Sequence, residues 1–217
     1  MVTIKKVESK NELKQFIKFN YELYKGNPYA VPDLYEDMVS TLTDKNAAME
    51  FCEAAYFLAY KEGKIAGRVA AIINNKANKT WNVKNVRFGW IDFIDDLEVS
   101  KALLDAVAAW GKSKGMNAIN GPVGFTDFDY EGLLVEGYEY KSTMVTLYNF
   151  PYYVRHMEAY GLHKEADWIE IECQVPEELP DKMARVAKIA AQRSHLHTVK
   201  VHSAKEITEK YGLEYLD

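Results

Sequence analysis

The thirty residues from Val86 to Gly115 constrain the fold more than any other part of the chain. Val86–Ile94 (VRFGWIDFI) is dense in aromatic and β-branched residues, the composition of a strand buried in a sheet. It runs almost without a break into an amphipathic stretch. There Val99, Ala102, Leu103, Ala106, Val107 and Trp110 recur at helical spacing. Asp95 or Asp96 is placed to cap the helix start, and Gly115 to end it. Met116–Asn120 then reads as a short strand. Strand, helix and strand in that order make a right-handed crossover between parallel strands. The chain is therefore expected to be an α/β protein.

The flanking segments extend this frame. Val2–Val7 is β-prone, and Ser9 with Glu12 three residues on is a capping box before a helix over Asn11–Leu23. The stretch 26–33 (GNPYAVPD) is a loop, and a second helix is expected over Leu34–Leu42. The pattern of Asn46–Cys52 assigns no single element. Glu53–Lys61 and Lys64–Ile73 read as two strands joined by the turn Glu62-Gly63, with Asn74–Asn85 as a connection. Residues 121–142 form a long glycine-dotted loop, a length that in a compact domain points to function or mobility. A strand is expected at Thr143–Leu147. A helix follows from Pro151 to Tyr160, stopped by Gly161, and a last strand over Asp167–Val175. Asp181–Arg193 reads as an amphipathic helix. Thr198 onward (TVKVHSAKEITEKYG) repeats the pattern of TIKKVESKNELKQFI at the start, which suggests a second copy of the unit that stops early. The expected domains are 1–176 and 177–217.

Charge and cysteine content exclude several classes. The net charge is −5 and no Lys/Arg run exceeds two, so no nucleic-acid partner is expected. Cys52 and Cys173 are far apart and outside any CxxC pattern, which argues against a disulfide scaffold or zinc knuckle. The N-terminus lacks the apolar core of a signal peptide, and no segment approaches the roughly 18 apolar residues of a membrane span. A cytoplasmic location without membrane contact is expected.

The hairpin EAAYFLAYKEGKIAGRVAAIIN, then VRFGWIDFI, KALLDAVAAWGKSKGM and YYVRHMEAYGLHKEADWIEIE together resemble the GNAT superfamily of acyl-CoA-dependent N-acyltransferases. The stretch from Lys5 to Gln174 is similar to an uncharacterised bacterial GNAT-like family, on NPYAVPDL, FGWIDF, GPVGFTDFDYEGLLVEGY and YNFPYY. The resemblance implies a central mixed, mostly antiparallel sheet of about six or seven strands, flanked by helices. It also implies acetyl-CoA or another acyl-CoA as acyl donor, and a small-molecule or peptide amine as acceptor. The donor's arm would follow Ile91, Asp92, Phe93 and Ile94, and its pyrophosphate would meet the helix start near Val99 and Ser100. Here the chain departs from the superfamily: Asp95-Asp96-Leu97-Glu98-Val99-Ser100 stands where a basic residue and alternating glycines are usual.

The superfamily's acid is often a tyrosine on the last helix. Alignment on Gly161 puts Met157 there, with Tyr152, Tyr153 and Tyr160 as alternatives, and His156 as a further base. Asp127 and Glu131 in the long loop, with Asp129 between them, are candidate general bases for an amine, or else a solvated acidic loop. Neither that cluster nor His195, His197 and His202 completes a metal site, so no metal is expected. A non-catalytic binding half of a tandem protein is the second reading. A homodimer would cover apolar surface left by a chain ending within a repeat.

Overall fold

The structure is a computed structural model and describes residues 1–143 and 146–216. It divides into two compact units, Met1–Trp168 and Ile169–Asp217.

In the first unit, among the described residues, five strands form one sheet in the order β1-β2-β3-β4-β5. They are β1 (Val2–Lys6), β2 (Cys52–Lys61), β3 (Lys64–Asn74), β4 (Asn85–Phe93) and β5 (Ala118–Asn120). All neighbours pair antiparallel except β4 and β5, which are parallel and joined by the expected crossover. The turn between β2 and β3 places both Glu62 and Gly63 at positive φ, the two-residue hairpin geometry. β3 is buried on both faces. Val69, Ala71 and Ile73 join one core layer, and Ala70 and Ile72 the other.

Two groups of helices cover those faces. On one lie α1 (Lys10–Leu23) and α2 (Tyr35–Thr41). A 3₁₀ turn at Ala47–Glu50 and a short α3 (Asn75–Thr80) fill the segments whose structure the sequence left open or treated as connection. On the other face lie α4 (Leu97–Ser113) and α5 (Tyr152–Tyr160). Helix α1 carries the expected capping box. Glu12 N–H donates to Ser9 Oγ at 3.3 Å, and the Glu12 carboxylate accepts the Ser9 and Glu8 N–H groups. Helix α4 buries Val99, Leu103, Leu104 and Val107 completely, each worth about 1.5–3 kcal/mol of transfer free energy. A Cβ on its Gly111 would lie 2.4 Å from a Val86 methyl, so the helix settles on β4 only with glycine there. Gly161 ends α5 at φ 97°, as its position implies.

Asp167–Val175 forms no strand, and Trp168, Ile169, Ile171 and Val175 are exposed. Its alternation is that of a strand, but a strand exists only where a partner takes up its backbone groups. The sheet accordingly has five strands among the described residues, not six or seven. The strand expected at Thr143–Leu147 lies partly outside the described residues.

In the second unit, α6 (Asp181–Arg193) and α7 (Ala204–Leu216) are the regular elements described. The start of α7 repeats the α1 cap: Glu206 N–H donates to Ser203 Oγ at 3.1 Å, and His202 N–H to Glu206 at 3.0 Å. The preceding Thr198–Val201, unlike β1, is not a strand.

Candidate active site

Arg68 is the one charged residue inside the apolar run of β3, and Asp92 interrupts the aromatic run of β4. The antiparallel register sets them directly opposite each other. Arg68 is 3% exposed and Asp92 5%. Arg68 Nε donates to Asp92 Oδ2 at 2.7 Å, and its Nη1 donates to the Phe16 carbonyl at 3.0 Å. Burying two charges is favourable only when each is paired and further hydrogen-bonded, and this pair meets that condition. Asp92 also accepts Asn20 Nδ2 at 3.0 Å and the hydroxyls of Tyr24 and Tyr153, each at 3.1 Å. The two hydroxyls lie 2.9 Å apart. Burial, then the nearby Asp92 charge, pushes both phenols well above their usual range, so they stay protonated.

This cluster floors a cavity of about 280 Å³. Its walls come from α1 (Asn20, Tyr21, Tyr24), the loop 26–33, β4 (Trp90, Ile91, Asp92) and the segments around Tyr130 and Tyr148. The opening exists because β4 and β5 part. Their pairing stops at Arg87 and Asn120, and Val123 N–H then donates to the Phe88 carbonyl. A Cβ on Gly89 would lie 2.7 Å from the Val123 carbonyl oxygen, which is how closely the departing chain crosses β4. At the same level β4 carries a bulge: Trp90 and Ile91 stand against Val69 alone, and Trp90 sits at φ 43°. A non-glycine residue held there costs about 1–3 kcal/mol, and such strain gathers at functional sites.

Asp33 is on the wall. Its carboxylate accepts the Tyr130 hydroxyl at 2.9 Å, and its backbone carbonyl accepts the Tyr21 hydroxyl at 2.9 Å. Burial raises its pKa above the usual carboxylate value, against the lowering effect of Tyr130. It combines access to the cavity with heightened basicity.

The site residues expected from sequence are scattered. Ile91, Asp92 and Tyr153 line the cavity. Tyr152 lies beside them, its hydroxyl donating to the Phe93 carbonyl at 2.5 Å, while Phe93 N–H donates to the Tyr153 hydroxyl at 3.3 Å. Phe93 is otherwise core, stacked on Tyr153 at 4.3 Å between ring centres. Ile94 points to a different groove, beside α1. Val99 is core. Ser100 is 1% exposed, and its hydroxyl meets His156 Nδ1 at 2.7 Å. The other ring nitrogen of His156 lies 2.8 Å from Asp95, which also pairs with Arg155. The Ser–His–Asp make-up of this trio suggests a nucleophile, but Ser100 is sealed from the cavity and the trio ties α5 to the start of α4. Asp127 is exposed at the loop tip, and Glu131 pairs with Val123 in an isolated bridge; neither lines the cavity. Asp129 turns inward to the Thr126 N–H at 3.0 Å. Among the described residues no group of three His, Cys, Asp or Glu could hold a metal ion.

Arg68, Tyr24 and Asp33 were missed. A lone arginine inside an apolar strand was the available signal, since such a charge needs a buried partner. Nothing comparable marks Tyr24 or Asp33, whose roles depend on how α1 and its following loop fold over the sheet.

The amino end of α4 does not fit a diphosphate. Asp96 Oδ1 accepts the Glu98 N–H at 3.0 Å, and Lys61 bonds to Asp96 and to Glu98. Positions 94–99 hold no glycine. An incoming phosphate would meet carboxylates where the resemblance expects bare N–H groups.

No protein-family profile matches the chain. Protein YghO of Escherichia coli is 35% identical over 159 residues, covering 73% of this chain and 41% of that protein. The bacterial ceramide synthase of Caulobacter vibrioides is 28% identical over 185 residues, covering 84% and 48%. The chain thus spans less than half the length of these curated relatives. Among solved structures, a tandem GNAT protein from the clavulanic acid biosynthesis pathway superposes with a TM-score of 0.52 at 13% identity, covering 76% of this chain and 45% of that one. A five-stranded, mostly antiparallel sheet flanked by helices, a single parallel crossover, a parting of β4 from β5 and this superposition lead to one conclusion: the chain has the GNAT fold.

Proposed function

We propose that the first unit is an N-acyltransferase, joining an acyl group from a thioester to an amine in the cavity above Arg68 and Asp92. The observation that carries this reading is the buried Arg68–Asp92 pair, ringed by Asn20, Tyr24 and Tyr153, at the point where β4 leaves β5. The name of the Caulobacter relative, a ceramide synthase, supports amide formation and favours an aliphatic amine among the open acceptors.

The residues divide the work as follows. Asp33, made more basic by burial, takes the proton that the amine loses as its nitrogen bonds to the acyl carbon. Tyr24 and Tyr153 stay protonated, and either can turn its single O–H from Asp92 toward the acyl oxygen, or toward the thiolate that leaves as the C–S bond breaks. Asp92, fixed by Arg68, orients both hydroxyls. Asp127, Glu131 and Tyr152 are left outside this assignment, because none of them lines the cavity.

The test is amide formation, followed by mass spectrometry, from short and long acyl thioesters with a panel of primary amines. Tyr153→Phe should slow transfer by about 10²–10³-fold, in line with loss of one such donor. Full activity of that variant would remove the assignment. A binding unit without chemistry is the second reading, favoured by the carboxylates that fill the amino end of α4. Absence of amide with every thioester and amine tried, alongside measurable ligand binding, would support it.

A further inference from the structure

We propose that the phosphate-bearing end of the acyl donor binds in a lysine-rimmed groove between α1 and the start of β3, not at the amino end of α4. The proposal rests on the acyl-transfer reading above. The groove has an apolar floor of Phe19, Leu23, Ile65 and Ile94, and Lys14, Lys18 and Lys64 stand along its rim.

Glu22, which also lines the groove, is paired with Lys25. Nearby lysines are neutralised: Lys5 by Glu12, Lys61 by Asp96 and Glu98, Lys25 by Glu22. Lys14, Lys18 and Lys64 take part in no ion pair among the described residues. They leave a local positive field over an apolar surface. The complementary ligand carries several negative charges next to a flat or short apolar body, which describes a nucleotide with its phosphates.

Position connects the groove to the cavity. Ile94 N–H donates to the Ala66 carbonyl at 3.0 Å, which holds the end of β4 against the start of β3. Ile94 is thus on the groove floor, while Ile91 and Asp92, two or three residues earlier on the same strand, line the cavity. A thioester whose reactive end lies by Asp92 and whose arm follows β4 reaches the groove on leaving the strand. The alternative exit, toward Asp96 and Glu98, presents carboxylates. A phospholipid bilayer would also offer anions and apolar surface. The floor, however, is recessed between a helix and a strand end, and Phe19 is only 9% exposed. A flat membrane does not reach into such a recess, whereas a ring does.

The experiment is calorimetric titration of the full chain with coenzyme A and with pantetheine, which has the same thiol arm without phosphates. The native chain and the variant Lys14→Gln/Lys18→Gln/Lys64→Gln are compared. The expected result is that the variant loses about tenfold or more in coenzyme A affinity, loses most of its salt dependence, and binds pantetheine unchanged. Asp96→Asn should leave the coenzyme A affinity as it is or tighten it. Equal coenzyme A affinity in native and triple variant would overturn the proposal. So would sedimentation of the native chain with phosphatidylglycerol vesicles through these lysines in place of coenzyme A binding. Amide formation from acyl-pantetheine separates the two claims. If it persists while the lysines prove irrelevant to coenzyme A, the acyl-transfer reading stands and the groove falls. If no amide forms from either donor, the reading beneath the proposal falls, and the proposal with it.

Discussion

The Arg68–Asp92 pair is the residue on which the cavity floor depends, and removing half of it is costly. Arg68→Ala would leave a carboxylate buried without its main partner, and a loss of about 3–5 kcal/mol in urea unfolding is expected. A double replacement by apolar residues of similar volume should recover much of that loss, since the pair offsets its own desolvation rather than adding stability. Asp33 behaves differently. Burial raises its pKa, so the folded state prefers the neutral acid. The cost of ionising it is absent below the unfolded pKa, grows as pH rises, and is complete above the folded pKa. Asp33→Asn should therefore be more stable than the native chain at neutral pH and equal to it at about pH 3. A destabilised Asn variant at neutral pH would mean that Asp33 is held there as a needed charge. Neither residue's partner could be named from sequence. A charge inside an apolar strand shows that a partner exists, but cross-strand register names it.

Individual elements carry their own tests. Helix α1 begins with Ser9 and Glu12, and Glu12 is held at a pKa of about 2 by Lys5 at 2.6 Å and by the backbone N–H groups it accepts. Because the folded pKa is depressed, Glu12 stabilises α1 above the normal glutamate range, and that support fades as pH falls toward about 2. Ser9→Ala should cost about 1 kcal/mol in thermal or urea unfolding. At the other end of the site, the Ser100–His156–Asp95 trio ties α5 to α4. Asp95 can only accept, so His156 carries a proton on Nε2, and its Nδ1 is hydrogen-bonded to the Ser100 hydroxyl. Ser100→Ala leaves that nitrogen buried and unpartnered, at about 1–3 kcal/mol. A change within 0.3 kcal/mol would show that the trio does not hold α5. The helices and long strands were legible in the sequence because each buries a continuous stripe with its own periodicity and cap. The 3₁₀ turn and α3 were not: they are short, polar and held mainly by neighbours. Asp167–Val175 misled for the converse reason. Its alternation was right for a strand, and alternation says nothing about whether an edge is there to receive it.

At the scale of the whole molecule, the candidate site lies wholly within the unit Met1–Trp168, and no described helix is long and apolar enough to cross a membrane. A fragment 1–176 is expected to unfold in one cooperative transition. The crossover from Val86 to Gly115 was readable because strand and helix periodicities adjoin there. The cavity was not, because it is assembled from segments spread between Asn20 and Tyr153, and only folding sets Tyr24 beside Tyr153, 129 residues away. The proposed transfer depends above all on deprotonation of the amine by Asp33. Its most direct test is kcat/KM against pH for the native chain and for Asp33→Asn, with acyl-pantetheine and a primary aliphatic amine. The native profile should climb through a pKa above the ordinary aspartate value and then level off, and the variant should fall by about 10²-fold or more and lose that limb. An Asn variant with the native rate and the native pH profile would contradict the account.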